Sequence, residues 1–568
     1  MTITGDITGD YQLTTVNSGT VTTIAGNATH TGGTLISAWT VVTGSLAGDV
    51  RFGDTNQAQL TFNQAGTHTF AGTITPVEGN TTWGSLAKSG SGTLTLTGDN
   101  LIPGGVTLNG GRLNIGHANA IAAPVDTIGL IGIAANQRTT SFDNTTGNSL
   151  TVNRGLSFGS YSGLTYVGSD DLTLSGGLHI NNTDPSGGIT VSANTLTIAG
   201  NITQQNVTNL IKRGVGTLEL HNTNAYTSGT IIYGGTMRLA SGANIGSGLL
   251  RFEGNGASSI LELADDFARP LGGSAGEMRI GTLHNYRHGG FSARGGNIQV
   301  AFGTLGSPEA LTWNGSGEGN AFNVATLHLN SVHADSTLEF LNPIDLNAAN
   351  RTVSVGASTA IMSGSLSGTG GLSKIGDGAL VLSGTNTYTG TTTVQAGLLQ
   401  INGDHTAATG TTTVASGAAI GGTATLGGAL IINGAIAPGN SIGTLTVANE
   451  VTWNGNAADP WFFELGPDNT SDLLDITGGD FIKGTGDTFL FDFLGAAEKG
   501  TFTLISWSGE TGFSTGDFSW QNMASDFSGE FTIEDSSLIF TAVPEPAHFA
   551  ALFGLFGLAL VWTRRRRN

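Results

Sequence analysis

Three stretches of this chain share one thirty-residue pattern, and that pattern leaves little besides a repetitive β architecture open to it. The cleanest is Leu372–Ile401, LSKIGDGALVLSGTNTYTGTTTVQAGLLQI; the others are Leu210–Leu239 and Leu86–Ile115. Counted from the first Leu, Lys stands at +2 (Lys88, Lys212, Lys374) and Gly at +4 and +6 (Gly90 and Gly92, Gly214 and Gly216, Gly376 and Gly378). Leu pairs follow at +8 and +10 (Leu94 and Leu96, Leu218 and Leu220, Leu380 and Leu382). Asn stands at +14 (Asn100, Asn224, Asn386) and Gly at +25 (Gly111, Gly235, Gly397). Apolar residues return at +27 and +29.

Period-two alternation such as Leu94-Thr95-Leu96 is that of a strand with one buried face. Gly and Asn at the joins suit tight turns that need positive φ. One strand–turn–strand unit cannot bury its apolar face alone. Stacked units pair their backbone groups and build a continuous core, which is the logic of a β-solenoid.

The order Lys-x-Gly-x-Gly-x-Leu-x-Leu, then Asn-x-Tyr-x-Gly, then Gly-x-Leu resembles the autotransporter-associated β-strand repeat of bacterial passenger-type proteins. The copy at 372–401 matches throughout. The copy at 210–239 moves the Gly after Tyr226 to Gly229, and the copy at 86–115 has Ile102-Pro103 in place of the Tyr. The resemblance implies solenoid architecture and says almost nothing about chemistry.

Composition agrees with one long repetitive body. Gly makes up 90 of 568 residues, more than twice the usual ~7%. Charged residues are only 11%, so this is no charge-driven disordered chain. Without cysteine the chain has no disulfide, thiolate metal site or Cys nucleophile. Residues 1–543 hold 40 acidic against 17 basic side chains, net −23. A body that acidic is repelled by nucleic acid and anionic lipid.

The start, MTITGDITGDYQL, shows neither a basic n-region nor an apolar h-region, so no signal peptide is visible. The other end demands export, and a start placed too late or a truncated chain reconciles the two. Residues 1–433 read as short strands broken by Gly, Asn, Asp and Thr. No fixed period emerges, because the clear copies begin 124 and 162 residues apart. Residues 434–541 carry 4 of 8 Trp and 12 of 26 Phe, which predicts a thicker core and a β-rich cap over the last rung. The run from Ala437 (APGNSIGTLTV) through Ser471-Asp472-Leu473-Leu474 resembles the end of autotransporter passengers. No room follows for the family's outer-membrane barrel, so self-transport is not expected.

Residues 543–568 form a tail of three parts. Val543-Pro544-Glu545-Pro546 precedes an apolar run from Phe549 to Trp562, and Arg564, Arg565, Arg566 and Arg567 follow. Prolines make the first part extended and accessible. The apolar run is at the short end for crossing ~30 Å of hydrocarbon, and four arginines stop transfer. The order resembles the PEP-CTERM sorting signal of bacteria that make extracellular polysaccharide. That resemblance implies recognition by an exosortase, a membrane transpeptidase-like enzyme, with cleavage near Pro-Glu-Pro.

Few residues point to chemistry. His284 and His288 have metal-pair spacing on a helix, but lie ~13 Å apart in a strand. Arg269, Arg279, Arg287 and Arg294 gather near Asp265 and Asp266, as the carboxylates and bases of a β-helix polysaccharide lyase would; surface ion pairs explain them equally well. The three repeat lysines read as a solvated corner position. No Walker-type loop or Ca²⁺-binding nonapeptide array occurs.

The expected fold is an all-β right-handed parallel β-solenoid with a β-rich C-terminal cap and one C-terminal transmembrane helix. The expected function is that of a non-enzymatic structural or adhesive protein of the cell surface or extracellular matrix, without cofactor, metal or catalytic residues. It would be membrane-anchored through its C-terminal helix until an exosortase-type enzyme processes it, and extracellular polysaccharide is a candidate partner. The alternatives are a polysaccharide-active β-helix enzyme, lyase or hydrolase, and a glycan-binding module.

Overall fold

The computed structural model describes residues 1–544 except 17–20, 125–126, 182–186, 206–207, 255–257, 282–287, 314–321 and 526. Each repeat copy forms one full turn that closes on itself in one register. Its first strand pairs in parallel with the segment twenty residues on: Leu86 with Val106, Leu210 with Thr230, Leu372 with Thr392. Its Leu pair stacks on the segment nineteen residues on: Leu94 with Leu113, Leu218 with Met237, Leu380 with Leu399. All six leucines are buried, none more than 1% exposed. Alternation inside a strand therefore puts every second residue into the core, and stacking repeats that column from rung to rung.

The chain divides into two compact units. The first holds Met1–Ile298 with 302–304 and 316–324. Its rungs pass through up to three strand positions. The first position builds a ten-stranded sheet from Thr2–Ile3 to Ile202–Gln204, and the second another from His68–Phe70 to Met278–Ile280. The third position is a four-stranded sheet ending at Ile74–Pro76, and is taken up again from Leu150–Val152. Between them single contacts replace strands, such as the bridge from Leu101 to Ala122. The copy at 86–115 starts in the first position and the copy at 210–239 in the second, so the repeat is not tied to one face. Rungs in this unit take from 16 residues (Thr34 to Val50) to 30 (Ser259 to Gly289), which explains the missing fixed period.

The second unit holds 299–301, 305–315 and residues from 325 onward. One ladder runs in parallel from Arg351–Ser354 through Leu372–Ile375, Thr392–Val394, Thr412–Val414, Leu430–Ile432 and Val451–Trp453 to Phe481–Lys483. Parallel stacking thus runs on past residue 433. The sheet turns antiparallel where Ser537–Pro544 lies between Gly500–Trp507 and Phe527–Glu534. The aromatic residues fill these last layers, with Trp453 stacked on Trp461 at 3.6 Å and Phe481 on Phe513 at 4.5 Å.

One part of the expected fold is corrected. The described residues contain no α-helix, only the 3-10 turns Pro467–Asn469 and Thr515–Asp517, and among them no helix is long and apolar enough to cross a membrane. The fold supported is an all-β, right-handed-type solenoid, with no transmembrane helix among the described residues. The physical reason is that Gly-broken runs of two to eight residues are too short to nucleate helix but long enough to pair. The expected span from Phe549 to Trp562 lies outside the described residues.

Gly at +25 shows why the repeat keeps its glycines. Gly397 has φ +64°, and a Cβ there would sit 2.5 Å from the Gly378 carbonyl and 2.6 Å from Lys374 Nζ. Gly417 has φ +80° but open space around it. Gly397→Ala is expected to destabilise the second unit by about 2 kcal/mol or more, and Gly417→Ala by about 1 kcal/mol. Denaturant midpoints of the two variants check this; equal midpoints would refute the crowding argument.

Candidate functional site

The repeat lysines are not a solvated corner stripe. Lys88 is 1% exposed, and Lys212 and Lys374 are 0%. The +2 side chain points inward, as register with Leu108, Ile232 and Val394 requires. Lys212 Nζ donates to the carbonyls of Arg213 (2.8 Å), Gly214 (2.8 Å) and, in the next rung, Gly234 (3.0 Å). Lys374 does the same toward Gly376, Gly378 (2.6 Å) and Ala396 (2.9 Å), and Lys88 toward Ser89, Gly90 (3.0 Å) and Gly110 (3.4 Å). Three donors of one ammonium thus reach three carbonyls at strand ends and turns of two rungs. Burial pushes Lys212 down to about 7, and Lys88 and Lys374 down to about 8.

The +14 asparagines do the complementary job. They do not adopt positive φ; the glycines at +4 and +25 do. Each is buried, and its Oδ1 accepts a backbone N–H of the preceding rung at 2.8 Å: Ile74 for Asn100, Ile202 for Asn224, Leu366 for Asn386. Nδ2 reaches the next rung, to the carbonyls of Ala120 and Asn244 at 2.8 Å and to His405 Nδ1 at 3.0 Å. Burial drives His405 down to about 4, so its ring is neutral at physiological pH and Nδ1 can accept. Tyr226 and Tyr388 are buried beside these clamps and bond the hydroxyls of Thr230 and Thr392. In the copy at 86–115, Ile102 fills the Tyr position.

A charged ladder that the sequence reading missed runs along outward positions of the third face. Glu219, Arg238 and Glu262 are in register on three successive strands. Arg238 donates to Glu219 at 3.0 Å and pairs closely with Glu262, while His221 meets Glu219 at 2.8 Å. Burial works to raise Glu219, but hydrogen bonds from His221 and Arg238 hold it below the usual carboxylate range. Alternating signs at the x of successive Leu-x-Leu runs were the available signal.

The residues considered for catalysis do not converge. Asp265, Asp266 and Arg269 line one cleft of about 170 Å³. Asp265 accepts from Ser241 Oγ at 3.1 Å and Gly242 N at 2.6 Å. Arg269 turns away, to the carbonyls of Gly248 and Gly246 in the preceding rung. Arg279 lies in register with Arg251, and its buried Nε has no partner. Arg294 approaches Glu262 at 3.9 Å, a different carboxylate. Arg287 and His284 lie outside the described residues, and His288 begins the strand His288–Ala293. Among the described residues no three His, Asp or Glu are grouped to hold a metal ion. Val543 and Pro544 end the strand Ser537–Pro544 and are exposed. Glu545, Pro546 and the four arginines lie outside the described residues.

The family described as passenger-associated-transport-repeat matches at residues 86–115, 210–239 and 372–401, so the chain carries these repeats. The adhesin BmaC autotransporter of Brucella suis biovar 1 (strain 1330) is 30% identical over 402 residues, 69% of this chain and 9% of that protein. An extracellular serine protease of Serratia marcescens is 39% identical over 99 residues, 16% of this chain and 9% of the protease. The matched stretch thus spans less than a tenth of either curated relative.

The lysine clamps set a pH dependence. Their folded pKa values lie below the unfolded value of ~10.4, so between about pH 8 and 10 the unfolded chain binds more protons than the folded one. Their contribution to stability therefore rises with pH through that window and levels off at its lowest value below it. Replacing all three by Met is expected to flatten this rise. Lys374→Met alone takes the ammonium from three carbonyls, of which Gly378 keeps only the Leu398 N–H at 3.4 Å, and is expected to cost about 3 kcal/mol or more. Urea midpoints from pH 7 to 10 measure both; a parental slope surviving in the triple variant would refute the assignment.

Proposed function

We propose that this chain is the body of an exported, non-enzymatic adhesive protein of the cell surface or extracellular matrix. The observation that carries the reading is the 30% identity with an autotransporter adhesin over 69% of the chain. The buried repeat chemistry supports it: Lys, Asn and Tyr of the repeat hold the scaffold and leave outward positions free to vary. A polysaccharide-active enzyme has less support, because Asp265, Arg269 and Arg294 turn to separate partners rather than to one reacting atom.

The tail is proposed to act as a sorting signal. Val543-Pro544-Glu545-Pro546 and the four arginines keep the three-part order for an exosortase-type membrane enzyme, and extracellular polysaccharide is the surrounding that such export serves. Val543 and Pro544 are exposed, which would leave this part of the motif within reach of a protease groove.

Two experiments check these readings. Display of the full chain on a non-adherent bacterium is expected to raise attachment to coated surfaces and cultured cells at least severalfold; attachment no better than the bare host would overturn the adhesive function. In a host with an exosortase, replacing Pro544-Glu545-Pro546 by three alanines is expected to leave the chain full-length, and processing at the parental rate would reject the sorting reading.

A further inference from the structure

The third strand position of the first unit is interrupted between Ile74–Pro76 and Leu150–Val152, and a groove of about 530 Å³ opens there. It crosses four successive rungs, through residues 99–101, 118–123, 151–153 and 175. At ~4.8 Å per rung it is ~14 Å long. The scaffold makes the groove in a specific way. The buried guanidinium of Arg154 takes the carbonyls of Ile102, Ile121 and Ala122, at 2.6, 2.8 and 2.9 Å, the last of which also accepts the Ile102 N–H at 2.9 Å. The backbone's needs are met from inside, and the outer side is left to side chains.

Those side chains form an apolar floor and a polar rim. Leu101, Ala122 and Val152 belong to the floor. Asp99, Asn119 and Thr151 are exposed along the rim. Asp99 accepts from Asn119 Nδ2 at 3.0 Å, which uses one carboxylate oxygen and one amide hydrogen. The second Asp99 oxygen, Asn119 Oδ1 and the Thr151 hydroxyl bond nothing among the described residues. The groove therefore offers acceptors and a hydroxyl, spaced by rungs, over small apolar groups. No cation lines it.

We infer that this groove binds a neutral saccharide. A pyranose ring has one apolar C–H face for the floor and equatorial hydroxyls, each donor and acceptor, for the rim. A polyanion lacks a cation to meet and faces Asp99 in a body of net charge −20. The inference rests on the adhesive reading and names its ligand class and site.

The test uses the full chain and a panel of neutral gluco-, galacto- and manno-oligosaccharides of two to six units, beside uronic-acid oligomers of equal length and an unglycosylated extended peptide library. Calorimetry is expected to show binding to at least one neutral oligosaccharide and none to uronic acids. Asn119→Ala is expected to weaken binding tenfold or more, and Ala122→Trp, which fills the floor, to abolish it. Unchanged thermal melting of Asn119→Ala keeps the result interpretable if Ala122→Trp folds poorly. Preference for uronic acids or peptide, or full affinity in Asn119→Ala, overturns the inference. Attachment of displayed Ala122→Trp at the parental level, with its fold intact, overturns the groove while leaving the adhesive function standing. Loss of attachment by the parent itself sinks the adhesive reading instead.

Discussion

Every strand of the solenoid depends on one constraint: at each rung corner backbone groups leave the ladder while still buried, and they need partners. Strands satisfy each other by parallel stacking, as Leu372, Thr392, Thr412 and Leu430 do in one column. Turns have no such neighbour. An unpaired buried carbonyl costs about 1–3 kcal/mol, so a few open corners would exceed the stability of an ordinary domain. The repeat solves this with side chains. Lys collects three carbonyls across two rungs, and Asn takes an N–H from the rung before and donates to the rung after. Gly at +4 and +25 bends the chain tightly enough for the ammonium to reach.

Much of this architecture was legible in the sequence because its signal is periodic. The Leu pairs at +8 and +10 announced an inward face, and they are buried. The polar repeat positions were misread for a physical reason. Lys is ordinarily exposed and Asn is ordinarily a turn residue, so composition placed Lys374 in water and Asn386 at positive φ. Only the stacking of rungs turns the +2 position inward, and stacking is a long-range fact. Rung length was illegible for a related reason: loops of any size fit between stacked strands, as the 29 residues from Leu113 to Phe142 show. The Arg cluster near 269–294 looked like chemistry because proximity in sequence was taken for convergence. In a solenoid, residues a rung apart stack, whereas residues ten apart turn different corners. The charged ladder of Glu219, Arg238 and Glu262 obeys the first rule, and Arg269 with Arg279 the second.

The same rule connects the scaffold's cations to its surface. Arg154 is fully buried and bonded to three carbonyls, Arg351 donates to the carbonyls of Leu346 and Trp313, and Arg269 to those of Gly246 and Gly248. With the three lysines, six basic side chains serve backbone carbonyls instead of carboxylates. Burial lowers the pKa of each, Lys212 to about 7 and Arg154 to about 10. Carbonyl dipoles suit this task because they cost no second desolvated charge, whereas a buried carboxylate partner would. The consequence lies outside. A chain with 21 basic and 41 acidic residues still shows water an acidic surface, since carboxylates such as Asp143, Glu262 and Asp472 are buried alongside these cations. Such a surface keeps copies of this chain apart and turns away polyanions. Neutral, hydroxyl-rich ligands then have least to overcome in reaching the outer faces.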